Sequence, residues 1–196
     1  MASMTAFFTR CCKKCSRLLA LAGLPLLLLT AAAGHAEGIE VRDAGLVAGD
    51  EGYFLEADFE ITLNSTLEEA LNKGVSLYFL VEFEIIRPRW YWFNEKVVNT
   101  QQQYRLSYNA LTRQYRLGVG ALFQNFDTLS EALDFLSRVR RRQVVDAGVL
   151  RKGNTYAAAV RMRLDISQLP KPFQLNALAS RDWNFGSDWY RWSVAP

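Results

Sequence analysis

The 196-residue sequence predicts a mainly β protein, a two-sheet antiparallel β-sandwich of immunoglobulin-like layout with two short helices. Three observations carry this expectation. Five runs alternate apolar with polar residues, the pattern of strands buried on one face. Two of those runs are separated by a few turn-forming residues, the mark of a hairpin. Only two segments carry helix-start signals. A closed β-barrel is the alternative arrangement. An outer-membrane barrel is disfavoured, because the faces opposite the apolar ones carry Glu, Asp and Arg where lipid would require apolar residues.

The N-terminus is read first because it bears on the compartment. Arg10, Lys13, Lys14 and Arg17 form a basic region, followed by an apolar run from Leu18 to Ala33, interrupted by Pro25. The run is about 16 residues long, short of the roughly 20 needed to cross a bilayer as a helix. Gly34 and Ala36 stand at the −3 and −1 positions of a cleavage site. Residues 1–36 are therefore expected to be a signal peptide, 37–196 a single domain, and the periplasm the destination. The alternative is an inner-membrane anchor formed by residues 18–33. Cys11, Cys12 and Cys15 all precede the apolar run, so no lipid anchor is expected.

Cleavage would remove all three cysteines and the single histidine, His35. It would also remove four of the 23 basic residues and none of the 20 acidic ones, leaving 19 against 20. That balance offers no cationic footprint for nucleic acid. Without His or Cys, serine and cysteine triads lack their base, and zinc or copper sites lack their usual ligands. No cofactor is expected either: "LGVGAL" lacks the third glycine of a dinucleotide fingerprint, and there is no phosphate loop.

Along the remaining chain, Tyr53, Leu55, Ala57, Phe59, Ile61 and Leu63 alternate with Glu56, Asp58, Glu60 and Thr62. Ser65-Thr-Leu-Glu68 is a capping box opening a short helix, with Gly74 suited to its end. Val75, Leu77, Phe79, Val81, Phe83 and Ile85 form the next apolar face until Pro88 ends the run. Tyr104, Leu106 and Tyr108 alternate, then "NALT" turns the chain into Tyr115, Leu117 and Val119. A second capping box, Thr128-Leu-Ser-Glu131, opens a helix read through "LSEALDFLSRVRRR". Its last turn would carry Arg138, Arg140, Arg141 and Arg142, complementing the helix dipole or meeting an anionic partner. Tyr156, Ala158, Val160, Met162, Leu164 and Ile166 make the last long apolar face.

Two aromatic segments hold all five tryptophans, "RPRWYWFNEK" (87–96) and "RDWNFGSDWYRW" (181–192). In the first, both faces of an extended chain would be aromatic, so the rings either lie in a covered central strand or are displayed. Arg87, Trp90, Trp92, Trp189 and Arg191 are the candidate binding residues, suited to stacking on a partner's side chains or on sugars. The two segments are expected to meet at one end of the domain. The loop 182–188 spaces its oxygen-bearing residues like the start of a calcium loop. It lacks a terminal Glu and inserts Trp183 and Phe185, so a turn is expected. Glu82 and Glu84 share a face, as a glycosidase pair would. Cross-strand pairing with Arg105, Arg116, Arg161 and Arg163 accounts for them more simply.

The export signal, the "RPRWYWFNEK" run, the "YRLSYNALTRQYRLGVG" hairpin and the "LSEALDFL" helix together resemble domain-of-unknown-function family 4390, a proteobacterial group of exported proteins. The resemblance covers the whole expected mature chain and carries no catalytic motif. It implies an envelope location and, from the genes that neighbour such members, an accessory role beside a two-component membrane sensor kinase. The expected function is thus a non-enzymatic module that binds an envelope protein. The alternatives are a glycan or cell-wall binding module and, third, a carboxylate hydrolase.

Overall fold

The computed structural model describes residues 37–88, 91 and 95–196. The expected signal peptide, Trp90 and Trp92 lie outside the described residues. Residues Ala36–Pro196 form one unit.

Among the described residues nine strands make two antiparallel sheets, and neither closes into a barrel. The smaller sheet has the order β1 (Gly38–Gly49), β2 (Gly52–Thr62), β7 (Arg138–Asp146). The larger runs β6 (Leu122–Phe126), β5 (Gln114–Val119), β4 (Glu95–Asn109), β3 (Leu77–Arg87), β8 (Tyr156–Leu164), β9 (Tyr190–Val194). Helix α1 (Ser65–Asn72) carries the chain from the small sheet to the large one, and α2 (Leu129–Leu136) carries it back. A third helix, α3 (Lys171–Ala179), follows β8.

Alternation determines which face is buried. In β3, Leu77, Phe79, Val81, Phe83 and Ile85 point into the core. In register beside them on β8 stand Leu164, Met162, Val160 and Ala158. Leu55, Ala57 and Phe59 of β2 belong to the same buried cluster. Each fully buried Phe or Leu contributes roughly 1.5–3 kcal/mol relative to exposure. The hairpin read at 104–119 forms as expected, with Leu106 opposite Leu117 and Tyr108 opposite Tyr115. The Asn109 side chain caps its turn by accepting from the Leu111 N–H at 3.0 Å.

Several sequence expectations need correction. The cap of α1 is Asn64, one residue before the Ser65 box, and its Oδ1 accepts the Leu67 N–H at 2.9 Å. Helix α3 is additional to the two expected: Pro170 at its cap position supplies no side-chain hydrogen bond, and the mark of its start is Pro172 in the first turn. The arginines at 138–142 lie on strand β7 and not on a helical turn. Helix α2 stops at Leu136, where the Phe59 N–H takes the Ser137 carbonyl at 2.8 Å and draws the chain into the small sheet.

Candidate interaction surface

The large sheet's second face points away from the core and is built from the polar half of each alternating strand. Burial persists here too: Glu82 is 5% exposed, and Leu80, Glu84 and Ala159 are buried beside it. Long side chains from neighbouring strands cover these positions. Glu82 stands opposite Arg161 on β8 and Gln101 on β4. Arg161 Nε donates to one carboxylate oxygen, while Arg163 Nε and Nη2 donate to the other at 3.2 and 3.1 Å. Gln101 Nε2 adds a longer contact at 3.4 Å. Burial alone would raise the Glu82 pKa, but hydrogen bonds and positive charge from Arg163 and Arg161 outweigh it and hold the carboxyl below its ordinary value. Glu84 pairs with Lys96 at 3.0 Å.

Three guanidinium groups on this face lie over aromatic rings. Arg161 sits 4.4 Å from the Trp189 ring centre, Arg116 4.5 Å from Phe123, and Arg105 5.8 Å from Tyr78. Such contacts hold the flat guanidinium in place. Arg161 Nε already donates to Glu82, Arg105 Nε and Nη2 to Ser76 and Arg116 Nε to Asn125, which leaves their other N–H groups for a further acceptor. The face carries Lys96, Arg105, Arg116, Arg161, Arg163 and Arg191 against Glu82, Glu84 and, toward the Arg163 end, Asp165 and Asp188, so cations outnumber carboxylates there although the domain is nearly neutral.

The residues singled out from the sequence fall in different places. Trp189 is half-buried just before β9, under Arg161, and Arg191 is exposed on the outer face opposite Ala159. Arg87 ends β3 and pairs with Glu95. Trp192 turns inward against Phe83 and Tyr190, with ring centres 6.2 and 5.9 Å away. Trp183 and Phe185 are buried.

Of the expected convergence only part falls on described residues: Arg191 and Trp192 reach the rows of Glu84 and Ile85, near Arg87, while Trp90 and Trp92 lie outside the described residues. Gly186 bridges Arg163, which stands opposite Leu80, whereas Arg87 lies seven residues further along β3. The second segment therefore runs along the sheet edge, from far beyond Trp189 to the row of Ile85. Its loop is a turn closed by hydrogen bonds: the Ser187 N–H to the Met162 carbonyl at 2.8 Å and Ser180 Oγ to Asp182 at 2.9 Å. Among the described residues no group of three His, Cys, Asp or Glu side chains is placed to hold a metal. Tyr78 and Phe123 escaped the sequence reading because a lone ring on a polar strand face carries no signal until its cross-strand arginine is known.

Residues 36–193 match the family model described as Domain of unknown function (DUF4390), and the chain belongs to that family. No curated protein and no solved structure matches it.

Proposed function

We propose that this family member is an exported, non-enzymatic interaction module whose outer sheet face docks an acidic segment of an envelope protein. Its partner is the extracytoplasmic part of a membrane sensor kinase. The observation that carries the reading is the fixed Arg-aromatic face around Trp189. Glu82 and Glu84 are already paired with Arg161, Arg163 and Lys96, and the excess of guanidinium groups favours a partner that brings its own negative charge. Arginine and aromatic residues are also the side chains that dominate binding hot spots.

The same geometry speaks against the alternatives. A glycosidase acid needs a raised carboxyl pKa at neutral pH, and Glu82 is held down with both oxygens occupied. A sugar would stack on an open tryptophan face, and Trp189 has a guanidinium over its ring. The test is capture from envelope extracts with the wild-type chain and with a Trp189→Ala/Arg191→Glu variant, followed by titration of a purified sensor extracytoplasmic domain. A protein held by the wild type and lost from the variant is expected. Identical captures by the two chains, or no binding of the sensor domain, would remove the proposal. Intrinsic fluorescence should stay unchanged on adding cell-wall glycan fragments.

A further inference from the structure

The three-stranded sheet does not cover the whole inner face of the six-stranded one. Strand β7 lies over β4 and helix α2 over β5 and β6, and an open cleft of about 750 Å³ remains between them. Its floor is apolar, formed by Tyr104, Val119, Phe126, Phe135 and Val139. Phe126 and Phe135 lie 5.5 Å apart, and Phe135 is 48% exposed because nothing in the described chain covers it.

Among the described residues, Arg142 on one wall of the cleft has no ion pair. Arg142 Nη1 donates to Gln102 Oε1 at 2.7 Å and Nη2 to the Gln101 carbonyl at 3.0 Å, both neutral acceptors. Its neighbour Arg140, by contrast, is paired with Asp58. Loss of water around Arg142 depresses its pKa, with Tyr104 partly opposing the effect, so this guanidinium is half-buried without compensating charge. An anion in the cleft would supply what the fold omits. Tyr104, whose pKa is raised chiefly by burial, keeps its proton and can donate it in a hydrogen bond to the same anion.

The backbone is distorted to achieve this placement. Strand β7 carries an extra residue opposite β2 between the pairs Leu55–Arg142 and Ala57–Val139, and Arg141 there has a φ of 45°. Strict alternation from Val139 would turn Arg141 inward and Arg142 out. The bulge reverses that, at the cost of a left-handed conformation that a residue with a Cβ disfavours.

We infer that the cleft binds a small monocarboxylate with an apolar body, its carboxylate meeting Arg142 and its body lying on Val119, Phe126 and Phe135. Glu131 and Asp134 on the opposite rim disfavour a second negative charge. The site is on the inner side of the large sheet, so it stands or falls separately from the outer docking face.

Octanoate is a suitable probe and octanamide its uncharged counterpart, measured by isothermal titration and by amide shifts in NMR. Octanoate is expected to bind saturably at one site, with shifts centred on Val119, Phe126 and Val139. Octanamide, Arg142→Gln and Phe135→Glu are each expected to weaken binding at least about tenfold, the loss expected when a charged hydrogen bond or the apolar floor is removed. Lys152→Gln, remote from the cleft, should not. If Arg142→Gln proves unfolded by circular dichroism, the exposed position 135 decides the matter. Absence of saturable octanoate binding, equal binding of octanamide, or wild-type affinity in the folded cleft variants would overturn the inference.

Discussion

Replacing Glu82 by Gln removes the charge at the centre of the outer face without changing its shape. In the wild type the carboxylate accepts from Arg161, Arg163 and Gln101 while being 5% exposed. A hydrogen bond to a charged group contributes roughly 1.5–3 kcal/mol, and orphaning a buried ion can cost more. The arginine side chains, however, are 32% and 38% exposed and can turn toward water, which reduces the penalty. The expected loss is therefore about 2–3 kcal/mol, or roughly 4–12 °C in Tm for a domain of this size. The loss must also depend on pH. The folded-state pKa of Glu82 lies below the ordinary 4.5, so its contribution is fully present above that value and fades as pH falls through the folded pKa. Urea unfolding of wild type and variant should differ most at neutral pH, and the difference should narrow as pH falls through the lowered folded-state pKa. Equal stability at neutral pH, or a difference that ignores pH, would refute the account of Glu82 as a clasped anion.

Trp183→Ala should cost about 3–5 kcal/mol by leaving a cavity under α3, whereas half-buried Trp189→Ala should cost about 1 kcal/mol; paired urea melts measure both. Gly52→Ala would place a Cβ 2.0 Å from the Val145 carbonyl oxygen at a φ of +138°, so a loss of about 3 kcal/mol or more is expected. Gly45→Ala in the same sheet meets nothing within 4 Å and serves as its control in thermal melts. Arg141→Gly should raise stability by up to about 1 kcal/mol by relieving the left-handed conformation, while Arg141→Val should lower it. A variant Tm unchanged by both substitutions would show that the bulge carries no strain.

The strands that could be read from sequence are those in which one face is buried by long, regular alternation. β2, β3, β8 and the β4–β5 hairpin announce themselves because Phe59, Phe83, Val160 and Leu106 repeat with period two against charged neighbours. β1 does not, since glycines and acidic residues leave only Ile39 and Ala44 buried along it. The charged clasp at Glu82 was legible as a list of partners but not as a geometry. Alternation says that Glu82 and Arg161 share a face type; only the register says that they stand opposite one another.

The arginine run shows where local reading ends. Thr128 caps a helix as its box announces, accepting the Glu131 N–H at 3.2 Å, and arginine continues a helix well. Nothing within the run itself argues for a strand until Val144 and Val145. What decides is β2, some eighty positions earlier, whose Asp58 and Ala57 stand opposite Arg138 and Val139 and whose Phe59 N–H captures Ser137. Val139 and Val145 stand opposite Ala57 and Tyr53, so two register shifts give β7 two more residues than β2 over this stretch; the two shifts together leave both valines on one face and reverse the alternation only of the residues between them. One consequence of that accommodation is that Arg142 turns inward, toward Gln102 and Tyr104, while Arg140 reaches Asp58 and Arg141 lies over Phe54. Three adjacent arginines thus acquire three different environments from a pairing that no window around them contains. The one without an ion pair lies between the two register shifts, where the alternation is reversed.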